Sequence, residues 1–317
     1  MSSDGPGFLS AARYGKDKVR VFRTVRGADG VHTIAEYNVT ALLEGAIDTS
    51  FTQADNSVVV ATDSIKNITY FLAKTSPHVL SPLRFATHLG THLVSKYAHI
   101  TKAVVRVETL RWARIGVDGK EHPHAFWRDG QEKRTVGVEV DKGKEGVLVK
   151  AEGGIGDLLV LKSTGSGFEN FVRDEYTTLA EVNDRIFSTS IDLAYTYAPL
   201  AVSGHGDGKE LEEKHVQTKS GDAWDDDKIA ASVRDITLSV FATDESASVQ
   251  ATLYKIGQTI LKANAGVQSV RIALPNKHYI PVDMKYIGID NLTPAKAEVF
   301  MPVDAPSGLI SATVSRA

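Results

Sequence analysis

Two polar residues occupy positions where the surrounding sequence predicts an apolar strand face. The segment "VRIALPNKHYIPVDM", residues 270–284, alternates aliphatic residues with others, at Ile272, Leu274, Ile280 and Val282. This alternation is typical of a half-buried strand, and Asn276 and His278 fall on the same face. A buried polar group needs hydrogen-bond partners. The face therefore indicates either a satisfied polar network in the core or an amide and an imidazole presented to a ligand, unless Pro275 bends the strand.

The tripeptide Ala-Thr-Asp occurs twice, each time where a strand pattern runs into a helix pattern. Thr62 and Asp63 belong to the first copy and Asp244 to the second, and Val249 and Gln250 follow just inside the second predicted helix. The N–H groups of a first helical turn have no intrahelical acceptor and lie at the positive end of the helix dipole, which suits a flat or anionic ligand. Taken singly, Thr62, Asp63 and Asp244 are better interpreted as ordinary N-caps.

Two further side chains, Arg185 and Phe168, each have an ordinary structural interpretation. Thr178 and Glu181 have capping-box spacing and predict a helix. Arg185 would lie on that helix four residues after Glu181, the spacing of a surface ion pair. Phe168 lies in the turn-rich "STGSGF" and could be a core residue.

Several chemistries are excluded or weakly supported. The chain has no cysteine, which excludes disulfides, thiolate nucleophiles and thiolate metal ligands. No phosphate-binding loop, dinucleotide fingerprint or Gly-x-Ser-x-Gly elbow is present. His122 and His124 could chelate a metal from a strand, but no third ligand is evident nearby. The aspartates at 225–227 could bind a hard cation, although a solvated loop is the better interpretation.

The overall composition sets the expected surroundings of the protein. The 317 residues carry a net charge of -3 and a pI near 6.4, so we expect no general attraction to nucleic acid or to an anionic membrane. The sequence shows no secretory signal and no apolar run of the roughly 20 residues that a membrane span needs. The final Ser-Arg-Ala is not a peroxisomal address. We therefore expect a soluble, cytoplasmic protein.

The elements that must position these residues form two similar halves. We predict a first unit over 1–142 and a second over 143–317, with a polar excursion at 202–228. The halves share "VVVATDS" and "SVFATDE", and also a helix-to-strand passage, "LVSKYAHITKAVVRVE" and "TILKANAGVQSVRIAL". We interpret "DITLSVFATD" as a strand. The predicted fold is α+β, each half an antiparallel sheet with helices on one face.

Long segments of the sequence resemble one family. These are "VLKSTGSGFENFVRDEYTTLAEVNDRIFSTS", "AARYGKDKVRV", "ADNSVVVATDSIKN", "GKEHPHAFWRDGQEKR", "SASVQATLYK" and "LPNKHY". Together they resemble urate oxidase (uricase), in order and through nearly the whole chain. The resemblance implies two tandem T-fold units, each a four-stranded antiparallel sheet with helices on one face, whose sheets join into barrels in a homotetramer. It implies oxidation of urate by dioxygen to 5-hydroxyisourate and hydrogen peroxide, with no metal and no organic cofactor. Eukaryotic members of this family often end in a peroxisomal tripeptide, so beside the resemblance the Ser-Arg-Ala ending implies a bacterial, cytoplasmic enzyme.

The resemblance also implies a role for individual residues. Phe168 would stack on the purine, and Arg185 and Gln250 would hold its edges beside the Val249 backbone. Thr62 and Asp63 would come from a neighbouring subunit, Asn276 would hold dioxygen, and Lys16, Thr62 and His278 would relay protons. The alternatives are another T-fold enzyme acting on a purine or pterin, and a non-catalytic purine-binding homologue.

Overall fold

The computed structural model describes residues 6–143, 146–202 and 225–317. The predicted polar excursion at 202–228 therefore lies largely outside the described residues. Within them, no helix is long and apolar enough to cross a membrane.

Ten strands and five α-helices make up the described part of the chain. The strands are β1 (Tyr14–Arg26), β2 (His32–Gly45), β3 (Ile100–Val117), β4 (Lys120–Gly143), β5 (Gly146–Lys162), β6 (Phe187–Tyr197), β7 (Leu200–Val202), β8 (Val267–Pro281), β9 (Phe300–Val303) and β10 (Leu309–Ser315). The helices are α1 (Asp48–Thr52), α2 (Thr62–Thr75), α3 (Pro82–Lys96), α4 (Asp226–Thr243) and α5 (Val249–Ala263). Short 3₁₀ turns lie at Asn56–Val58, Lys285–Ile287 and Pro294–Lys296.

Hydrogen-bonded strands follow the order β1-β2-β3-β4-β5-β6-β8-β10, with β7 on β5 and β9 on β8. The ladders between β1 and β2, β2 and β3, β3 and β4, and β8 and β10 are antiparallel. Along the chain, two strands, two longer helices and two strands occur in that order twice, apart from the short elements. The described chain thus repeats one ββααββ pattern, as the predicted duplication requires.

The chain divides into two compact units that draw on separate segments. The first comprises Met1–Gly154, Tyr195–Ala230 and Ala265–Gln268, and the second comprises Ile155–Ala194, Ala231–Asn264 and Ser269–Ala317. The predicted division at 142/143 concerns repeats in the sequence, and compact units need not begin and end where sequence repeats do. The division therefore stays a prediction.

In the first unit, α2 packs on β1 and α3 packs on β3 and β4. Apolar residues recur every four positions along α3, and three of them, Phe85, Leu89 and Leu93, are inaccessible to solvent. Gly90 allows the close approach, because a Cβ there would lie 2.6 Å from Val140 Cγ2 of β4.

The second unit repeats this packing. Helix α5 lies on β10, and Leu253, Ile256 and Ile260 form its buried stripe. A Cβ on Gly257 would lie 2.6 Å from Val314 Cγ2 of β10, which is the same glycine-on-valine contact that α3 makes. The shared contact supports the duplication independently of the element order.

Two predicted elements are wrong. The predicted strand "DITLSVFATD" lies instead in and just after α4, which ends at Thr243. No helix follows Thr178 and Glu181: residues 171–181 are irregular and lead through the bridge at Val182 to β6. The predicted passage from helix to strand is confirmed twice, since three residues separate α3 from β3 and α5 from β8.

The aspartates at 225–227 do not form a solvated loop. The side chain of Asp226 is fully buried, where it pairs with Arg134 and accepts hydrogen bonds from Tyr195 at 3.0 Å and Tyr197 at 2.5 Å. Asp227 also pairs with Arg134 but is largely exposed. These residues anchor the first turn of α4 within the first unit.

Candidate active site

The irregular segment between β5 and β6 folds back on itself and brings Phe168 near Arg185. The N–H of Phe168 donates to Val182 O at 2.7 Å, and Val182 N–H donates back at 3.1 Å. Arg185 N–H donates to Ser166 O at 2.7 Å. These bonds place the Arg185 guanidinium carbon 5.2 Å from the centroid of the Phe168 ring.

Asp184 fastens the two ends of this segment together. Its carboxylate accepts from Thr164 Oγ1 at 2.6 Å and from the N–H of Gly165 at 2.8 Å. The hydrogen bond from Thr164, with further ones from backbone N–H groups, holds the pKa of Asp184 below its ordinary value. Asp184, the neighbour of Arg185 in sequence, thus accepts its hydrogen bonds from uncharged donors and not from the Arg185 guanidinium.

The guanidinium of Arg185 is half-buried, and among the described residues it forms no ion pair. Burial lowers the pKa of Arg185, because the charged form loses solvent without gaining an anion. Phe171 stacks on Phe168, with ring centroids 4.8 Å apart and planes inclined by 9°. A desolvated cation beside an aromatic face is suited to a planar anion.

The start of α5 is joined to the same segment. Ser246 N–H donates to Gly165 O at 3.0 Å, and Gly167 N–H donates to Ser246 O at 2.9 Å. Ser248 is the N-cap of α5, its side chain accepting from Ala251 N–H at 3.1 Å. Val249, which is buried, and Gln250, which is exposed, are therefore the first two helical residues. The prediction that Asp244 caps this helix is wrong.

Asn276 and His278 lie on β8 of the same unit. Ile272 and Leu274 before them are buried, whereas Asn276 is half-buried and His278 is exposed. The N–H of Asn276 donates to Gly308 O at 2.8 Å, but its side-chain Oδ1 is buried and has no hydrogen-bond partner among the described residues. The satisfied core network is therefore wrong for both residues.

Thr62 and Asp63 lie in the first unit and occupy the first turn of α2. Ala61 is the N-cap and makes no side-chain hydrogen bond, so the interpretation of Thr62 and Asp63 as N-caps is wrong. Asp63 accepts from Lys66 at 2.5 Å and from Asn67 at 2.9 Å. The hydrogen bond from Lys66 lowers the pKa of Asp63, and the charge of Lys16 adds to the effect.

Lys16 approaches α2 because β1 is irregular at that point. The pairing of β1 with β2 shifts between Lys16 and Val19, and Lys18 has a φ of 53°, the signs of a β-bulge. Tyr14 ties the start of β1 to the segment before α2, its hydroxyl accepting from Val60 N–H at 2.6 Å. Lys16, Thr62 and Asp63 thus form one group, separate along the chain from the group around Phe168 and Arg185.

The other candidate ligands do not form a metal centre in the described ranges. No three His, Asp or Glu side chains there come together in a way that could hold a metal ion. The rings of His122 and His124 lie 4.6 Å apart on β4.

Sequence reasoning missed the residues that hold this site together, above all Asp184, Ser246 and Ser248. Ser248 had a usable signal, since serine before an apolar helical pattern predicts an N-cap. The bonds of Asp184 and Ser246 connect residues far apart in sequence and have no local pattern.

Comparisons with known proteins show which family the chain belongs to. The model of the family described as Uricase matches residues 12–139 and 151–311. The chain is 48% identical over 310 residues to the uricase of Emericella nidulans and 46% identical to that of Aspergillus flavus, in each case over 97% of both chains. The chain belongs to the uricase family. The crystal structure of uricase from Arthrobacter globiformis matches with a TM-score of 0.81 at 32% identity, covering 98% of this chain and 96% of that one.

Membership of the uricase family confirms the predicted resemblance and the α+β fold of T-fold units. Identity is higher to the two fungal uricases than to the one from Arthrobacter globiformis, which is 33% over 308 residues. The bacterial type expected from the C-terminus stays a prediction.

Proposed function

We propose that this chain is an enzyme that oxidises urate with dioxygen to 5-hydroxyisourate and hydrogen peroxide, without metal or organic cofactor. Family membership supports the reaction. The observation that carries the proposal is the Arg185 guanidinium, half-buried, free of carboxylates within the described residues and 5.2 Å from the Phe168 ring.

Binding begins with this pair. A urate anion is flat and negatively charged, so its ring stacks on Phe168 while Arg185 bonds one edge through its planar fork. Because the guanidinium is partly desolvated, its attraction to an anion exceeds that of an exposed arginine. Arg185 therefore stabilises the anionic form of urate, which is the electron-rich form.

The start of α5 selects the opposite edge. The amide of Gln250 donates to a carbonyl and accepts from a ring N–H. The N–H groups of the first helical turn, including that of Val249, have no intrahelical acceptor and add further donors. A purine lacking the matching carbonyls leaves these groups unpaired and binds more weakly.

Oxygen chemistry takes place beside Asn276. Urate gives two electrons to dioxygen, two protons complete hydrogen peroxide, and a water molecule adds at C5 of the oxidised ring. Asn276 would hold dioxygen and later water, and its unpartnered Oδ1 is a ready acceptor for that water. Lys16, Thr62 and His278 would move the protons.

The group of Lys16, Thr62 and Asp63 would act from a neighbouring subunit. As the resemblance implies, we propose a homotetramer whose sheets join into barrels and whose sites lie at subunit interfaces. Joining edge strands in this way also removes exposed strand edges.

The test is loss of the urate absorbance band in oxygenated buffer containing a chelator, with hydrogen peroxide measured in parallel. We expect turnover with chelator and without it. Arg185→Lys should raise the KM for urate at least about tenfold, because one ammonium cannot replace the bidentate fork. Arg173→Lys, an exposed arginine of the same segment that bonds Leu179 O, is the matched control and should change KM little.

Three results would contradict the proposal. Absence of urate turnover under both conditions refutes the reaction, and turnover of a pterin instead would favour the other T-fold activity. Turnover lost only with chelator refutes the cofactor-free mechanism.

A further inference from the structure

Asp244 is not one of the proposed ligand residues. It is connected, however, to two elements that carry them, the Phe168 segment and the start of α5. It follows the last residue of α4, where its N–H donates to Val240 O at 3.0 Å, and it is not the N-cap of α5. Its carboxylate accepts from Thr252 Oγ1 at 2.8 Å and from Lys255 Nζ at 2.7 Å, both on α5. Its backbone carbonyl accepts from Lys162 Nζ, at the end of β5, at 2.6 Å.

Thr252 continues this connection toward the Phe168 segment. Its hydroxyl lies 2.7 Å from Ser246 Oγ, and both residues are buried, with exposures of 0% and 2%. Ser246 exchanges backbone hydrogen bonds with Gly165 and Gly167, the residues immediately before Phe168. We call Asp244, Thr252 and Ser246 the Asp244 network.

The Asp244 network therefore connects two ligand-binding elements, the first turn of α5 and the segment that carries Phe168 and Arg185. Thr252 lies in the first turn of α5, two residues after Gln250, and Ser246 holds the segment that carries Phe168 and Arg185. Burial alone would raise the pKa of Asp244, but hydrogen bonds from Lys255 and Thr252 outweigh it and the pKa is lowered. The network is thus ionised and satisfied, and buried networks of this kind favour one arrangement.

A ligand held at both edges depends on the separation of the groups that hold it. If that separation changes by about 1 Å, the two edges can no longer be bonded at once without strain. Main-chain bonds join Ser246 to the Phe168 segment, and the side-chain bonds of the Asp244 network join Ser246 to the first turn of α5.

We propose that Asp244, Thr252 and Ser246 are positioning residues that set the separation between the Phe168–Arg185 pair and the Val249–Gln250 turn, and thereby the affinity for urate. The proposal rests on the proposed function. It assigns the second Ala-Thr-Asp copy a role in holding the site, not in capping the N-terminus of α5.

The test compares Thr252→Val with wild type in urate binding without oxygen, in steady-state kinetics and in amide hydrogen exchange. Valine keeps the branched shape but removes the hydroxyl that joins Asp244 to Ser246. We expect the anaerobic Kd and the KM for urate to rise about tenfold, as the loss of one buried hydrogen bond to a charged group would give, while kcat changes less than about threefold. Exchange of the Gly167 and Ser246 amides should accelerate.

Two further variants sharpen the result. Asp244→Asn keeps an oxygen for Thr252 but loses the ion pair with Lys255, so we expect a smaller rise in Kd, about threefold. Thr259→Val is the matched control: it lies on the same helix, and among the described residues its hydroxyl bonds Lys255 O. It should leave both Kd and the two amides unchanged.

The outcomes separate this proposal from the proposed function. If wild type neither binds nor oxidises urate, the proposed function fails, and the exchange rates of Gly167 and Ser246 alone decide whether the network holds the segment. If Thr252→Val binds urate within twofold of wild type with unchanged exchange, the network has no positioning role and the proposal is overturned. If Thr252→Val does not fold, Asp244→Asn decides by the same measurements.

Discussion

His88 provides a stability test that can be worked out from the structure. It lies on α3 with 8% of its surface exposed, and its Nδ1 lies 2.9 Å from Ser76 Oγ. Burial lowers the pKa of His88 from 6.5 to about 4, and the nearby His78 and His92 contribute to the lowering. The native protein therefore keeps His88 neutral under conditions in which the unfolded chain protonates it.

The sign and size of the effect follow from proton linkage. Above about pH 6.5 both states are neutral, and His88 has no effect on the pH dependence of stability. As the pH falls below that value, the unfolded chain gains a proton that native His88 does not, so the free energy of unfolding decreases by about 1.4 kcal/mol per pH unit. The decrease ends near the native pKa, after a total loss of about 3 kcal/mol.

The comparison is between wild type and His88→Asn, because asparagine can reach Ser76 but does not titrate. Urea unfolding followed by fluorescence should be measured from pH 7 to pH 4 at one protein concentration, since assembly would otherwise shift the midpoint. The other ionisable groups are the same in both proteins, so the difference between the two reports the contribution of His88. We expect wild type to lose about 3 kcal/mol more than the variant over this range. A difference that stays constant within about 1 kcal/mol would refute the reasoning.

Two other predictions concern the first unit. Gly15→Ala would place a Cβ 2.0 Å from Ala41 O and must displace β1 next to Lys16, so kcat for urate should fall about tenfold or more; an unchanged kcat would show that Lys16 does not depend on this close approach. Asp226→Asn should lower the free energy of unfolding by about 3 kcal/mol, because it removes the charge that offsets buried Arg134. Asp227→Asn, on the more exposed partner, should cost less than about 1 kcal/mol, and equal effects in urea unfolding would argue against the buried pair.

The order of elements could largely be predicted from the sequence, because each amphipathic helix and alternating strand carries its own periodicity. The α3 and α5 stripes and the passages into β3 and β8 are examples. Helix α4 was mistaken for a strand because "DITLSVFATD" combines β-branched residues with an apolar run, and tertiary packing overrides that propensity. The capping-box spacing of Thr178 and Glu181 also gives no helix, because a tertiary contact replaces the cap: Glu181 instead accepts from Asn170 N–H.

The site was less predictable from local pattern than the fold. The two Ala-Thr-Asp copies are not equivalent, since Thr62 begins a helix and Thr243 ends one. The predicted surface ion pair of Arg185 with Glu181 requires a helix, and the structure has none at these residues. Bonds such as those of Asp184 to Gly165 depend on chain reversal, and no periodicity encodes them.

The polar face of β8 shows where pattern and function separate. Alternation placed Asn276 and His278 correctly on the face of Ile272 and Leu274, but that face leaves the core after Leu274, so His278 is exposed. Asn276 is the informative residue, because a buried acceptor without a partner costs about 1–3 kcal/mol. Proteins tend to keep such a local cost at functional sites. A donor from outside the described contacts, such as the water that the proposed reaction consumes, would remove this cost, and it gives Asn276 a reason to be polar that the strand pattern alone does not supply.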